Sequence, residues 1–288
     1  MTTLADRIAA ASSEFTPADR RIDEILFSTN MLAGLETVAR LGERARVSGP
    51  TVLRFVTKLG FSSFPEFQEA LRSDIESRLA SPLDLYAQPG RDPDPDSLAA
   101  HAAETFDAGV RRTLARLEPA VLDKVVEILA DPSRTIYLVG GRFTHHLAEI
   151  FWGHLHQLRP RTRVIRQGVV SPRDHLVDIG RRDVLVVFDL RRYQADTVEL
   201  AEFVKLRRAT VILITDPLLS PIARVANHVL TCELDAPSPY DSMVPCLALV
   251  EVLVAAVMRA CGDDARQRIV EIEQLRELGS SESIPPGE

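Results

Sequence analysis

The chain contains little cysteine. Its three cysteines, Cys232, Cys246 and Cys261, are far apart, form no Cys-x-x-Cys pair and have no histidine nearby at metal-ligand spacing. An odd, scattered set argues against a disulfide framework and against a cysteine-based zinc site. We therefore expect three free thiols that pack as small apolar side chains.

The sequence also lacks an export signal and a long apolar run. Residues 1–6 show no basic start followed by an apolar segment and a cleavage site, so no signal peptide is expected. The most apolar stretch, residues 246–261, is shorter than the roughly 20 residues that cross a bilayer, and Glu251 interrupts it. These observations predict a cytoplasmic protein with no membrane partner.

Basic residues are in the minority. There are 34 of them against 41 acidic residues, and the resulting formal net charge of −7 argues weakly against nucleic acid as a partner of the whole surface. The local distribution of charge matters more than this total. With 45% hydrophobic and 26% charged residues, the composition is that of an ordinary globular protein. A length of 288 residues favours two domains.

The pattern of residues divides the chain into four parts. The first 79 residues have helical periodicity, whereas the second half alternates strands with helices. Between them, residues 87–97 contain three prolines that alternate with aspartates, which is typical of a linker. We predict a helical domain over 1–79, a linker over 80–97, an α/β domain over 98–279 and a polar tail over 280–288.

The second domain contains short β-rich runs that are apolar almost throughout. The predicted strands are 135–139, 183–188, 210–215 and 228–231. The predicted helices are 98–117, 119–129, 147–158, 197–206 and 245–259. Apolar strands separated by helices indicate a parallel sheet that is covered on both faces. The expected fold class is therefore α/β, with an all-α N-terminal bundle followed by a doubly wound parallel sheet.

A helix-turn-helix is predicted around Arg46. One helix runs from about Gly34 to Ala45, and after a tight turn Ser48 can cap a second helix that stops at Gly60. In this motif the second helix lies in the major groove and presents its N-terminal residues to the base edges. Its apolar side chains fall on one face, which leaves a polar face formed by Thr51, Arg54, Thr57 and Lys58.

Positive charge is concentrated in the same region. From Arg40 to Lys58 there are five cations and one anion, a local balance of +4. Neutralising phosphates with such a patch supplies most of the affinity for DNA. An ordinary amphipathic bundle with a solvated basic face remains the alternative. The candidate DNA-binding residues are Arg46, Ser48, Pro50, Thr51, Arg54, Thr57 and Lys58.

The segment from Ser48 to Phe67 has the pattern Ser-x-x-Thr-Val-x-Arg-Phe-x-x-Lys-Leu-Gly-Phe-x-x-Phe-x-Glu-Phe. It closely resembles the helix-turn-helix of RpiR-type transcription regulators, which implies double-stranded operator DNA as a partner. The family usually has glycine at the turn position that Arg46 occupies here. Arg46 therefore makes the turn less favourable or adds a phosphate contact.

The resemblance also implies a sugar isomerase (SIS) domain, a doubly wound fold that binds phosphosugars, over about residues 90–260. Open α/β sheets bind ligands outside the carboxyl ends of their strands. Here the first loop reads Gly140-Gly-Arg-Phe-Thr144, where the family has Gly-x-Gly-x-Ser, and residues 189–194 replace a hydroxyl-rich Ser-x-Ser-Gly-x-Thr. The candidate ligand-binding residues are Gly140, Arg142, Thr144, Asp189, Arg191, Arg192 and Gln194.

Three interpretations of the altered loops stay open. The arginines 142, 191 and 192 bind an anion through bidentate contacts; or Asp189 pairs with one of them, fills the site and leaves a dimerisation scaffold; or a standard phosphosugar binds. Three neighbouring cations require compensation by an anion, by Asp189 or by solvent.

Catalysis is not expected from this sequence. His145, His146, Glu149 and Asp189 are the side chains near the loops that could act as general bases, but histidines at a helix start more often cap it or lie on the surface. A phosphosugar isomerase with a helical appendage is the rival class. We predict a transcription regulator that senses a small anionic, carbohydrate-related ligand, with no catalytic residue, cofactor or metal. We also expect a homodimer or homotetramer, with helices 147–158 and 245–258 as candidate interfaces.

Overall fold

The structure is a computed structural model that describes residues 4–11, 14–29, 31–79, 97–166, 171 and 173–280. The predicted linker and the predicted tail therefore lie outside the described residues, except for Ser97 and Ser280 at their borders.

The N-terminal region is helical, as predicted. It contains α1 (Leu4–Ala11), α2 (Pro17–Ser28), α3 (Val38–Ala45), α4 (Gly49–Lys58) and α5 (Phe64–Leu79). Fully buried side chains from four of these helices, Ile22, Leu41, Phe55, Phe67 and Leu71, form one core. Burial of this much apolar surface is the main force that holds the short helices together.

Helix α3 begins four residues later than predicted. Leu32–Leu35 form a 3-10 turn, and Thr37 caps α3 by accepting a hydrogen bond from the backbone N–H of Arg40. Gly34 sits in the core, where a Cβ would lie 2.4 Å from Cδ2 of Leu71. The glycine is therefore a packing residue and not the start of a helix.

The second domain is a parallel sheet flanked by helices. Two helices, α6 (Leu98–Ala115) and α7 (Pro119–Ala130), precede the sheet. The strands are β1 (Ile136–Gly140), β2 (Thr162–Val164), β3 (Val184–Phe188), β4 (Thr210–Thr215) and β5 (His228–Thr231). The remaining helices are α8 (His145–Leu158), α9 (Ala195–Leu206) and α10 (Val244–Ser280). The doubly wound fold class and the four predicted strands are confirmed.

The strand order is β2-β1-β3-β4-β5, and every pair is parallel. Alternate residues of the strands pack into two cores, one beneath α7, α8 and α10 and the other beneath α9. The order reverses between β1 and β3, because the chain leaves β1 for one side of the sheet and returns on the other. The carboxyl ends of these two strands form the switch point at which such sheets bind ligands.

Strand β2 was not predicted from the sequence. It has three residues at the edge of the sheet, and Arg163 in its middle is exposed. A run of three residues with a charge at its centre shows no sequence pattern of a strand. These residues form a strand because they pair with β1.

Helix α10 continues to Ser280, beyond the predicted end at Arg259. It bends at Gly262, whose φ of 54° and ψ of −128° are accessible to glycine only. By length and composition alone, Val244–Glu277 could cross a membrane. However, Leu249, Leu253 and Val257 are at most 1% exposed and pack in the core of the sheet domain. This face of α10 is therefore a core face.

Candidate functional site

The turn between α3 and α4 is closed by backbone contacts. Arg46 adopts the left-handed conformation, with φ 53° and ψ 47°, and its N–H points to the carbonyl of Glu43 at 3.1 Å. The next N–H, that of Val47, donates to Gly42 at 2.8 Å. A residue with a Cβ is strained in this conformation, which explains why glycine suits the position. The Arg46 side chain is exposed.

The N-terminus of α4 presents a small polar group. Ser48 occupies the N-cap position as predicted, but its hydroxyl bonds to Thr51 Oγ1 at 2.8 Å and not to a backbone N–H. Arg54 donates from Nη2 to the same Thr51 oxygen at 3.2 Å. Pro50 lies in the first turn and is exposed. These four side chains form one surface, while Val52 and Phe55 hold the opposite face in the core.

Lys58 is engaged within the protein. Its Nζ lies 2.6 Å from Oδ2 of Asp19 and 3.0 Å from the carbonyl of Glu14. Asp19 also forms a capping box with Thr16 at the start of α2. Burial alone would raise the pKa of Asp19, but the hydrogen bonds from Lys58 and Thr16 outweigh it and lower that pKa. Lys58 thus fixes the end of α4 against α2.

The remaining basic residues differ in their partners. Arg40 pairs with Glu43 at 2.6 Å, and Arg44 pairs with Glu36 at 2.7 Å. Within the residues that the structure describes, Arg46 and Arg54 have no carboxylate partner. Thr57, the last predicted contact, is exposed and donates to the carbonyl of Leu53 at 3.1 Å. The predicted balance of +4 is therefore reduced by internal ion pairs, and Arg46 and Arg54 carry the uncompensated charge.

A cleft with two lobes lies at the carboxyl ends of β1 and β3. One lobe has a volume of about 450 Å³ and reaches towards β2, where it is lined by His145, Glu149 and Arg166. The other, of about 360 Å³, reaches towards Asp241. Two predicted positions, Arg142 and Gln194, line both lobes, together with Gly141. The two loops singled out in the sequence therefore do meet at one cleft.

The first loop is fixed by close packing. At Gly140 a Cβ would lie 2.5 Å from backbone atoms of Thr144 and His145, so no other residue fits. Thr144 is buried, accepts a hydrogen bond from the N–H of Gly141 at 2.7 Å and donates to the carbonyl of Phe188 at 2.8 Å. Its hydroxyl ties the first loop to the end of β3.

Asp189 does not pair with the arginines, so that part of the scaffold interpretation is wrong. Its carboxylate accepts hydrogen bonds from the Ser220 hydroxyl at 2.5 Å and from the N–H of Gln194. The side chain is 2% exposed, and burial raises its pKa to about 7. Asp189 holds the second loop to the segment after β4, because Ser220 also caps the turn at Ile222.

The arginines find their counter-charge in Asp241, a residue that the sequence did not single out. Asp241 lies 3.1 Å from Nη1 of Arg191 and 3.6 Å from Nη2 of Arg192. Arg142 is exposed and, within the described part of the chain, makes no ion pair. Arg191 and Arg192 thus share one carboxylate at the second lobe, which Arg142 also lines. Asp241 follows the proline-rich segment after β5, about 50 residues from the arginines, and no local pattern points to it.

Three of the four candidate general bases lie close together, and the fourth, Asp189, is apart from them. His145, His146 and Glu149 lie together in the first two turns of α8, and Glu149 pairs with Arg166 at 2.7 Å. Asp189 is held separately by its own hydrogen bonds.

Family models match both parts of the chain. A helix-turn-helix domain of the rpiR family matches residues 2–78, and the SIS domain matches residues 128–256. The chain belongs to the RpiR family. It is a transcriptional regulator in which an RpiR helix-turn-helix domain precedes a SIS domain, as the sequence predicted.

Several known proteins resemble this RpiR-type chain over most of its length or over its second domain. The HTH-type transcriptional regulator HexR of Pseudomonas aeruginosa is 24% identical over 282 residues, which cover 95% of each chain. The sugar isomerase domain of an RpiR transcription factor from Sphaerobacter thermophilus has a TM-score of 0.58 and 24% identity, covering 62% of this chain and 99% of that one. The Vibrio vulnificus NanR protein, complexed with ManNAc-6P, has a TM-score of 0.53 and 14% identity over 95% of this chain and 98% of that one.

Proposed function

We propose that this RpiR-type regulator binds a phosphorylated or carboxylated sugar in the two-lobed cleft and that the ligand controls its binding to operator DNA. The observation that carries the proposal is the excess of positive charge at the second lobe, where three arginines face two acidic residues, Asp189 and Asp241. The arginines that line this lobe are Arg142, Arg191 and Arg192, and Asp241 is ion-paired with the last two only. NanR, a relative in fold, is known as a complex with a sugar phosphate.

Two further features favour an anion at this place. Helices α8 and α9 both begin at the cleft, so the positive ends of their dipoles face it. The buried Asp189 carboxyl carries only part of a negative charge at neutral pH, since burial raises its pKa to about 7. A ligand carboxylate or phosphate would therefore be stabilised electrostatically.

The mode of binding differs from a ring of hydroxyl groups. The Thr144 hydroxyl is already hydrogen-bonded to the backbone of Gly141 and Phe188. In place of hydroxyl groups, the second loop presents guanidinium groups to the cleft. Guanidinium groups bind phosphate and carboxylate oxygens in pairs, with defined geometry. We infer that Arg142 binds the ligand anion directly. Arg191 and Arg192 would divide their hydrogen bonds between that anion and the Asp241 carboxylate.

We propose that the domain senses its ligand without converting it. The buried Asp189 carboxylate is already satisfied by Ser220 and Gln194, and Glu149 is ion-paired with Arg166, so neither is presented as a ready base. Turnover of aldose or ketose phosphates by the purified protein would instead support the isomerase class.

For the DNA-binding domain, we propose that Arg46, Ser48, Pro50, Thr51, Arg54 and Thr57 contact the operator. Lys58 would contribute indirectly, because its ion pair with Asp19 fixes α4 to α2. Recognition of two half-sites calls for a homodimer or homotetramer, and exposed apolar residues of α8 and α10, Ile150 and Met258, mark candidate interfaces. As a regulator of DNA it would act in the cytoplasm.

The test of ligand binding combines calorimetry with thermal unfolding. The full-length protein is titrated with N-acetylmannosamine 6-phosphate, a panel of other sugar phosphates and sugar acids, their uncharged parent sugars and inorganic phosphate. At least one charged sugar should raise the melting temperature, because it binds only the folded state, while its parent sugar should not.

The variants Arg142→Ala and Arg191→Ala should weaken that binding at least 10-fold. Arg182→Ala is the matched control, because Arg182 is exposed at the opposite, amino end of β3. Equal affinity of all three variants would refute the assignment of the cleft. A DNA fragment selected from a random double-stranded library then shows whether the ligand alters operator affinity.

A further inference from the structure

A cluster of potential metal ligands lies at the rim of the first lobe. The side chains of His145, His146 and Glu149 each offer a ligand atom, and these atoms all lie within 4.8 Å of one another. His145 and Glu149 are four residues apart, so they share a face of α8. The imidazole rings of His145 and His146 are in contact, with their centroids 3.8 Å apart and their planes tilted by 39°.

His145 is oriented as a metal-binding histidine requires. Its Nδ1 lies 3.2 Å from the carbonyl oxygen of Gly141, so Nδ1–H donates a hydrogen bond there and Nε2, on the other side of the ring, is the nitrogen left to bind a metal. A hydrogen bond of this kind from the other ring nitrogen to a carbonyl group is the usual support for a ligating histidine. Gly141 belongs to the close-packed first loop, which gives the ring a fixed anchor.

Glu149 is supported in a similar way. Its Oε1 accepts a hydrogen bond from Nε of Arg166 at 2.7 Å, and the Arg166 guanidinium lies over the ring of Trp152. Carboxylates that bind metals are commonly held by such outer partners. The ion pair does not prevent coordination, since Arg166 is 62% exposed and exposed ion pairs contribute little free energy.

We propose that His145, His146 and Glu149 bind a divalent transition-metal ion, with Zn²⁺ the best fit. Two imidazole nitrogens and one carboxylate oxygen suit Zn²⁺, Co²⁺ or Ni²⁺ better than the oxygen-seeking Mg²⁺ and Ca²⁺. Ligand atoms in a tetrahedral zinc site are about 3.4 Å apart, so the separations in the cluster must shorten by up to about 1.4 Å. His146 is exposed and the other two are half-buried, which leaves room for this adjustment.

The remaining coordination position would face the cleft. His145 and Glu149 both line the 450 Å³ lobe, whereas His146 lies outside it. A three-ligand site of this kind keeps one position for water or for an oxygen of another molecule. The role in ligand binding rests on the proposed function: a hydroxyl, carboxylate or phosphate oxygen of the sugar would complete the metal's shell. Metal binding itself does not depend on that function.

The test uses the full chain after chelation and dialysis, titrated with Zn²⁺ by calorimetry and with Co²⁺ by absorption spectroscopy. One equivalent of Zn²⁺ should bind with a micromolar or tighter dissociation constant. The Co²⁺ adduct should show visible bands of tetrahedral geometry without the thiolate charge-transfer band that binding at a cysteine would produce. Stoichiometric binding with a thiolate band, or no binding above micromolar affinity, would overturn the proposal.

Variants assign the site. His146→Gln and Glu149→Gln should each weaken Zn²⁺ binding at least 10-fold, and His145→Gln at least as much. The matched control is His154→Gln, on the exposed side of the same helix, which should bind Zn²⁺ like the wild type. Thermal unfolding of the metal-free variants verifies that they are folded. Unchanged affinity in the His145→Gln, His146→Gln double variant would exclude the cluster.

Repeating the sugar titration with and without Zn²⁺ distinguishes the metal-site proposal from the proposed function. If Zn²⁺ strengthens binding of the charged sugar at least 5-fold and His146→Gln abolishes that gain, both the site and its role stand. If Zn²⁺ binds but the sugar affinity does not change, the coordination of sugar is refuted and the proposed function survives. If no sugar binds at all while Zn²⁺ does, the proposed function fails and the metal site remains.

Discussion

Lys58 and Asp19 join the recognition helix α4 to helix α2, with Nζ of the lysine 2.6 Å from Oδ2 of the aspartate. The aspartate side chain is 6% exposed and the lysine side chain 27%. A lysine in this motif would ordinarily be assigned to DNA phosphate. Its position here makes it part of the framework that sets the angle of α4.

The first prediction concerns this pair. Lys58→Met leaves the Asp19 carboxylate buried without its partner, so we expect the free energy of unfolding to fall by about 1–2 kcal/mol, below the cost of a fully buried pair because the lysine is partly exposed. Urea unfolding measures the change. A double variant with Asp19→Asn should lose less than the sum of the single variants. Additive losses would show that the pair does not interact.

The second prediction concerns Arg54, which has no carboxylate partner among the residues that the structure describes. Arg54→Ala should reduce operator affinity about 10- to 100-fold, because Arg54 extends beside Thr51 on the exposed face of α4. Arg40→Ala should have a smaller effect, since Arg40 is paired with Glu43. Mobility-shift titrations at several salt concentrations separate base contacts from phosphate contacts. Equal losses for both variants would contradict the assignment.

The third prediction concerns the turn residue Arg46. Its φ of 53° costs a side-chain-bearing residue about 1 kcal/mol relative to glycine, so Arg46→Gly should stabilise the protein by up to that amount. The same change removes a phosphate-binding cation, so the slope of log affinity against log salt should fall by about one. Arg46→Ala tests the two effects separately: it removes the cation but retains the strain.

The fourth prediction concerns Asp189 and pH. Because burial raises its pKa to about 7, the folded protein binds more protons than the unfolded chain between about pH 4 and 7. Its contribution to stability is therefore fully present near pH 4 and is lost as the pH rises through 7. Asp189→Asn should flatten this dependence by a few kcal/mol, measured by urea unfolding at pH 5 to 8. An unchanged difference between the two proteins across this range would refute it.

The fifth prediction concerns Asp241. Asp241→Asn removes the carboxylate that Arg191 and Arg192 share, so an anionic sugar should bind roughly 10-fold more tightly, by about 1.4 kcal/mol. The ligand-free protein should also melt at a lower temperature. Asp235→Asn is the control, because Asp235 lies in the same segment but pairs with Arg112. Weaker sugar binding in the Asp241 variant would show that this carboxylate helps to hold the ligand.

Much of the fold could be predicted because its signals are local. Strands β3 and β4 are apolar along their whole length, and Phe67, Leu71 and Ile75 recur at helical spacing on the buried face of α5. Arg46 could be identified as the turn because a specific motif follows it. The incorrect predictions concern places where contacts between distant segments determine the secondary structure, namely the start of α3 and the edge strand β2.

The candidate site was predicted in outline only. The sequence indicates which loops meet, since carboxyl ends of parallel strands lie on one side of the sheet. It does not indicate that Asp189 turns to Ser220, 31 residues away, or that Asp241 faces the arginines. Such pairings arise from long-range packing and have no periodic pattern. The roles of the DNA-binding and ligand-binding side chains remain predictions.

In the first loop of the cleft, the residues that maintain the loop conformation differ from the residue that is exposed to a ligand. Gly140 and the Thr144 hydroxyl are committed to packing and to backbone atoms, whereas Arg142 between them is exposed and lines the cleft. Substitutions at position 142 should therefore be nearly neutral for folding while altering what is bound. If Arg142 contacts the effector as proposed, a change of this one exposed side chain would alter which effector is bound, and natural variation among close homologues should concentrate there rather than at the two residues that frame it.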